Sequence, residues 1–389
     1  MKRVQIAERP DWKQTAEKLG FKFHTIDGER YWDESAYYQF TLKQVEQDLE
    51  DPTQGLHDMC MDMVDKVVNS EELLTRLAIP AQFHDLIRTS WREGHPHLYG
   101  RMDFSYDGNG PAKLLELNYD TPTSLYEAAA FQWVWLDEQI QRGMLPKDTD
   151  QFNSIQDKMS QAFRHLKVVT GIDKPFYFSS TDQSEEDMAT VQYMRDLATQ
   201  AGHDTRFIAL EQIGQNENRL FVDENDKKIN TLFKLHAWEH IFLEGFGPWI
   251  EQSETLFIEP AWKAILSNKG ILPLLWAEHE GHPNLLPSFF DDDPSRKLDK
   301  GWVRKPFFSR EGANIEVCEP SGKRHRVDGP YNDAPYILQR YHKMPKFNGS
   351  YTLIGSWVIG DQAAGIGIRE DSTLITKDTS RFLPHVIID

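Results

Sequence analysis

The chain has 389 residues, 39% of them hydrophobic and 12% aromatic, which excludes an intrinsically disordered composition and allows a large core spread over two or three lobes. With 61 acidic against 43 basic residues the net charge is -18, and the absence of a basic run excludes a nucleic-acid backbone footprint. Only Cys60 and Cys318 are present, far apart, which excludes a disulfide framework or a structural zinc site and fits a reducing cytoplasm.

The first stretch, MKRVQIAERPDWKQTAEKLG, has acids and a proline where a signal peptide needs an apolar run. No segment approaches the roughly 18 apolar residues of a membrane span, so a cytoplasmic protein without a membrane partner is expected. Residues 37 to 75 mix apolar and charged positions at helical spacing, in YYQFTLKQVEQDLE and LHDMCMDMVDKVV, and are expected as helix. Cys60 belongs to that pattern, between Met59 and Met61, and reads as a small buried residue.

Residues 101 to 123, RMDFSYDGNGPAKLLELNYDTPT, alternate with period two on both arms of a hairpin. Met102, Phe104 and Tyr106 form one face, with Arg101, Asp103, Ser105 and Asp107 on the other. In the second arm Leu115, Leu117 and Tyr119 oppose Leu114, Glu116, Asn118 and Asp120. A loop of Gly108 to Pro111 puts Asp107 opposite Ala112, Asp103 opposite Glu116 and Arg101 opposite Asn118, with Cβ atoms of opposed residues about 4.5–5.5 Å apart. Two carboxylates so close call for a cation, and Asp, Glu and Asn are hard oxygen ligands of the kind Mg²⁺ accepts. The plainer reading is the solvent side of an antiparallel sheet. The continuation NYDTPTSLYEAA favours a site, because small hydroxyl residues lead into a helix start able to hold an anion.

SLYEAAAFQWVWLDEQIQRG reads as a helix, followed by a polar gap around LPKDTDQFNS. FYFSSTDQSEEDMATVQYMRDLATQAG and TRFIALEQIG read as strand, loop, helix and strand in the α/β manner. From about residue 290 onward, WVRKPFFSREGANIEV, YILQRYH and YTLIGSWVIGDQAAGIGIRE read as an antiparallel sheet. No repeat or long linker interrupts the chain, so residues 1–389 are expected as one unit with approximate lobes 1–165, 166–255 and 256–389.

LLELNYDTPTSLYEAAAFQW resembles the glutathionylspermidine synthase family, and FIEPAWKAILSNKGILPLLW, KPFFSREGAN and IGSWVIGDQAAGIGIREDSTLIT resemble its nucleotide-binding segments in the same order. The resemblance runs from about residue 10 to the C-terminus and is nearest to a stand-alone bacterial branch described as acid–amine ligases. It implies an α/β (α+β) ATP-grasp-type synthetase whose antiparallel sheets clamp Mg-ATP, with a helical N-terminal region. It further implies a carbon–nitrogen ligase that joins a peptide-like acid to an amine through an acyl phosphate, using ATP and Mg²⁺ and releasing ADP and phosphate.

Matched residue by residue, Asp103, Glu116 and Asn118 correspond to magnesium ligands, and Arg101 to the arginine that steadies the acid or its acyl phosphate; Arg101 and Asp103 also border the nucleotide. Lys269 and Lys305 match the two ATP-contacting lysines, against the plain reading of each as a surface lysine. Glu311 and Gly312 lie in the expected phosphate loop; Gln339, Arg340 and Tyr341 border the adenine, and Leu374, Ile375 and Thr376 a neighbouring part of the nucleotide. Arg369 matches an arginine on phosphate or substrate, or else a surface ion pair with Glu370. Thr121 and Thr123 anchor the substrate side. Glu185 and Glu186 either meet the amino group of a peptide-like substrate or simply begin a helix, while Trp238 and Glu239 line the same region or are buried packing.

No amidase motif precedes these segments, so amide hydrolysis is not expected, and neither glutathione nor spermidine is carried over as a substrate. Asp107 and Asp120 have no assigned role, and a homo-oligomer is left open. The alternatives are an ATP-binding regulator without ligase chemistry and a metal-dependent hydrolase, the latter lacking any HExxH signature.

Overall fold

Residues 1–26, 28–171, 174–293, 298–377 and 380–388 are described in a computed structural model of the chain. The alternating hairpin forms strands Tyr99–Ser105 and Lys113–Asn118 at one edge of a six-stranded antiparallel sheet. Its centre is the long pair Ser350–Ile359 and Gln362–Asp371; the first pairs with Tyr99–Ser105 and the second with Arg381–Leu383. Strands from the ranges expected as the first and third lobes therefore share one sheet.

A second antiparallel sheet has the order Ser288–Phe290, Tyr336–Arg340, Trp302–Pro306, Glu316–Cys318 and Arg324–Arg326. The antiparallel texture expected after residue 290 is present in both. Between hairpin and second sheet in the sequence lies a parallel unit, ordered Leu256–Ile258, Thr231–Lys234, Phe176–Ser180 and Thr205–Ala209. Helix Glu185–Gln200 makes the crossover from Phe176–Ser180 to Thr205–Ala209, as parallel neighbours require.

One helix boundary differs from expectation. Ala36–Phe40 is a strand between Lys2–Gln5 and His385–Ile387. Its aromatic side chains suit a pleated surface, and Ala36, Tyr37, Tyr38 and Phe40 are buried. The helical run starts after Thr41, whose hydroxyl accepts the Gln44 amide while the Gln44 side chain accepts the Thr41 amide, a reciprocal cap. Farther along, helix Asp51–Val68 packs Leu56, Cys60, Met63, Val64 and Val67 into a core shared with Phe104, Leu114 and Ile354. Cys60 is fully buried there, and burial pushes its thiol up to about 12, as suits an inert core residue. Among the described residues no helix is long and apolar enough to cross a membrane.

Candidate active site

In the hairpin Arg101 faces Asn118 and Asp103 faces Glu116, as counted from the sequence. Nearer the turn the register slips: Phe104 faces Leu114 and Ser105 faces Lys113, and the connection spans residues 106–112 rather than Gly108 to Pro111. The slip is a bulge at Leu115, and it exchanges two side chains relative to expectation. Leu114 packs in the core with Phe104, whereas Leu115 lines the cleft and its carbonyl accepts Lys305 Nζ at 2.9 Å.

The polar face is not a solvent face. Arg101 is 5% exposed and Asp103 0%. Asp103 Oδ1 accepts Arg101 Nε at 2.6 Å, and Oδ2 accepts Arg101 Nη2 at 3.0 Å and Arg369 Nη2 at 2.9 Å. Asn118 Nδ2 donates to the same Oδ2 at 3.4 Å. Arg369, read in part as a surface ion pair with Glu370, instead pairs with Asp103; Glu370 is held by Arg3 and Arg381. Glu116 Oε2 is 3.4 Å from Lys269 Nζ. Burial works to raise the Glu116 carboxyl, but Lys269, Lys305, Arg101 and Arg369 hold it down to about 2, so it stays charged.

Among the described residues no group of three His, Cys, Asp or Glu side chains could cage a metal. The expected magnesium set of Asp103, Glu116 and Asn118 has two carboxylates and one amide, and it sits among four cations. That donor set fits Mg²⁺ arriving with phosphate oxygens, because magnesium is commonly held by one or two carboxylates plus substrate phosphates.

Lys269, 4% exposed, also donates to the Ser309 carbonyl at 2.8 Å. Lys305 donates to Gln339 Oε1 at 2.8 Å, so the buried Gln339 side chain serves the lysine while Arg340 and Tyr341 form the rim. At Gly312, φ is 73°, and a Cβ there would come within 2.4 Å of Ile375. Glycine thus lets the loop bearing Glu311 rest directly on Leu374–Thr376.

At the other end of the cleft Thr121 Oγ1 accepts Arg310 Nη1 at 2.7 Å, and Arg310 Nη2 donates to Glu239 Oε1 at 2.8 Å. Thr123 contributes its carbonyl, which accepts Arg101 Nη1 at 2.7 Å. Glu186 lines the cleft, but Glu185 does not and is exposed. The helix expected to offer an anion site begins after Ser124, and its first turn holds a buried carboxylate, Glu127. Trp238 is buried and its amide donates to Asp120 Oδ2 at 2.8 Å; Lys234 Nζ donates to Oδ1 at 2.7 Å. Asp120 is therefore part of a buried ion pair. Asp107 accepts the Asn109 amide at 2.9 Å and shapes the hairpin turn.

Every candidate residue except Lys269, Glu185, Trp238 and Glu239 lines one cleft, with about 1310 Å³ of empty space when its open mouth is included. Sequence reasoning missed Arg310, Tyr31, Ser124 and Ser309, which also line it. Arg310 and Ser309 stand inside the quoted FSREGAN run, where a basic residue beside a loop glycine was the available signal; Tyr31 has no local signal.

Burial pushes the Lys305 ammonium down to about 8, with Glu116 opposing and Lys269 reinforcing the shift. The charged form is the one that binds an anion. Affinity for a nucleoside triphosphate is expected to fall as pH rises through about 8, by at most about tenfold per pH unit, the limit for one linked proton. Titration calorimetry with an ATP analogue from pH 7 to 9 checks this, and Lys305→Arg should flatten the profile because arginine keeps its charge.

Two antiparallel sheets closing on a cleft lined by both basic and acidic side chains define a mixed α/β protein. The glutathionylspermidine synthase preATP-grasp family matches residues 3–388, and the chain belongs to that family. It is 41% identical, over the full length of both chains, to a Haemophilus influenzae protein named provisionally as an acid–amine ligase. It is 27% identical to trypanothione synthetase of Crithidia fasciculata, over 84% of this chain and 53% of that one. It is also 27% identical to the Escherichia coli bifunctional glutathionylspermidine synthetase/amidase, over 90% of this chain and 60% of the relative. The chain thus spans little more than half the length of these two relatives. Together these relatives place it among the carbon–nitrogen ligases. In fold it is similar to a glutathione synthetase-like effector of Globodera pallida, with TM-score 0.57, 11% identity and 98% coverage of each chain.

Proposed function

We propose that the protein is an ATP-grasp-type ligase that activates a peptide-like carboxylic acid as an acyl phosphate and passes the acyl group to an amine. The observation that carries this is the convergence of Arg101, Arg369 and Lys305 on Asp103 and Glu116 in one cleft between two antiparallel sheets, with Lys269 paired to Glu116 at its wall.

Phosphorylating a carboxylate brings two anions together, so the chain must neutralise charge that builds in the transition state. Lys269 and Lys305 hold the triphosphate, and Arg101 and Arg369 orient the carboxylate oxygen for in-line attack on the γ-phosphorus. The bond from that phosphorus to the ADP oxygen breaks as the new one forms. Asp103, Glu116 and Asn118 would hold a magnesium ion, which would supply further charge neutralisation on the phosphates. Gln339 to Tyr341 and Leu374 to Thr376 border the nucleotide base and sugar, and the Glu311–Gly312 loop excludes water from the transferring phosphoryl group. Thr121, Thr123 and Glu186 contact the acid, with Arg310 beside them; Glu185, being exposed, drops out of this set.

The test is ADP release by the purified protein with ATP and Mg²⁺. Glutathione serves as the first acid and spermidine as the first amine, followed by panels of other peptides and amines. Acid-stimulated ADP formation with stoichiometric amide supports the reading. Tight ATP binding with no stimulation by any acid would establish a nucleotide-binding regulator instead.

A further inference from the structure

We propose that Tyr31 and Glu127 form a proton relay that deprotonates the attacking amine, Tyr31 meeting the amine and Glu127 storing its proton. This rests on the ligase reading above. Tyr31 lines the cleft beside Arg101, Ser124 and Glu186. Its hydroxyl donates to Glu127 Oε1 at 2.5 Å and lies 3.0 Å from Ser124 Oγ. The adjacent Thr123 carbonyl is fastened to Arg101, so the turn carrying Ser124 is tied to the arginine that orients the acid.

Glu127 differs from the ion-paired carboxylates around the cleft. Asp103 is matched by Arg101 and Arg369, Glu116 by Lys269, and Glu239 by Arg310. Glu127 is fully buried, its Oε1 accepts the Tyr31 phenol, and no cationic side chain forms a salt bridge with it among the described residues. Burial pushes its carboxyl up to about 7, against the Tyr31 hydrogen bond and the charges of Arg101 and Arg369. Burial, with the charges of Glu127 and Glu186, holds the Tyr31 phenol well above its ordinary range, so it passes a proton along rather than keeping a negative charge. A base poised near neutrality is what general-base catalysis favours.

The step balances. The amine enters as R–NH₃⁺ and gives one proton to the Tyr31 oxygen while the Tyr31 proton moves to Glu127, leaving a neutral amine, a neutral phenol and a carboxylic acid. The nitrogen lone pair then attacks the acyl carbon and the C–N bond forms. The C–O bond to phosphate breaks with its electron pair on phosphate, which also carries off the second nitrogen proton.

The experiment uses the full chain with ATP, Mg²⁺ and glutathione, with spermidine or hydroxylamine as nucleophile. Hydroxylamine is already neutral near neutral pH and needs no base to expose its lone pair. Glu127→Gln and Tyr31→Phe are each expected to slow spermidine-dependent amide formation by about 100-fold or more while hydroxamate formation stays within about threefold. The acidic limb of the spermidine kcat/KM profile, centred near 7 in the wild type, should vanish in Glu127→Gln. Equal loss with both nucleophiles means the pair is structural and overturns the relay, as does an unchanged spermidine rate. Hydroxamate made at full rate alongside an unaffected spermidine reaction sinks the relay alone. A wild type that makes no hydroxamate with any acid of the panel sinks the acyl phosphate reading and the relay with it. Infrared difference titration reads Glu127 without substrate: a protonated carboxyl band that appears below about pH 7 in the wild type and is absent in Glu127→Gln supports the proposal, and its absence from the wild type overturns it.

Discussion

Asp103→Asn is expected to lower acid-dependent ADP formation by about 10²–10³-fold, the range seen when one preorganised electrostatic contact is removed from a transition state. Both Asp103 oxygens are engaged, one by Arg101 and the other by Arg101 and Arg369. Asparagine keeps the size but removes the charge and turns an amide donor toward a guanidinium. The buried Arg101 and the largely buried Arg369 would then lack their shared counter-ion. Burial together with Arg101 already lowers the Arg369 proton affinity, while Asp103 works to restore it. On the proposed magnesium assignment the variant should also need more Mg²⁺ for half-maximal activity, because one carboxylate would be lost from the set proposed to hold the cation. Steady-state ADP release against Mg²⁺ concentration, with melting temperatures taken in parallel, measures both effects. Wild-type turnover with an unchanged Mg²⁺ curve would remove Asp103 from the reaction.

The pairings of Arg101 with Asn118 and Asp103 with Glu116 were legible because a period of two ties register to side-chain face. The bulge was not, because Leu114 and Leu115 are chemically identical and nothing local says which of them turns inward. Residues 36–40 satisfy both a helical and a strand pattern, and what decides between them is pairing with His385–Ile387 at the far end of the sequence. Glu185 and Glu186 could not share one role, since successive helical residues point about 100° apart and only one of them can reach the cleft. Asp120 continued the polar stripe in sequence, yet it lies beyond the last strand residue, Asn118, and turns toward Lys234 of the parallel sheet. Tyr31 and Glu127 meet only in the tertiary fold. Sites assembled within one hairpin can be read from spacing; those assembled between distant elements cannot.

Lys263→Ala is expected to destabilise the protein by about 3–5 kcal/mol, the usual result of removing one partner from a buried ion pair. Lys263 and Glu259 are both fully buried, with Nζ 3.1 Å from Oε2. Alone, Glu259 would be a buried carboxylate whose proton affinity burial already raises, and Asp120 adds to that shift. The pair also fixes the hairpin. Glu259 Oε1 accepts the Leu98 and Tyr99 amides at 2.9 and 3.3 Å, and Lys263 donates to the Tyr99 carbonyl at 2.8 Å, two residues before Arg101. Lys263→Ala should therefore lose activity beyond what unfolding explains, because the strand carrying Arg101 and Asp103 loses its clamp. The double variant Lys263→Met with Glu259→Leu removes both charges and keeps the volume, so it should recover most of the stability but not the activity, since the amide and carbonyl partners of Leu98 and Tyr99 remain lost. Denaturant unfolding of Lys263→Met, Glu259→Leu and the double variant gives the coupling directly. Additive losses would show that the charges do not act as a pair. Full activity in the double variant would show that the hairpin holds its place without them.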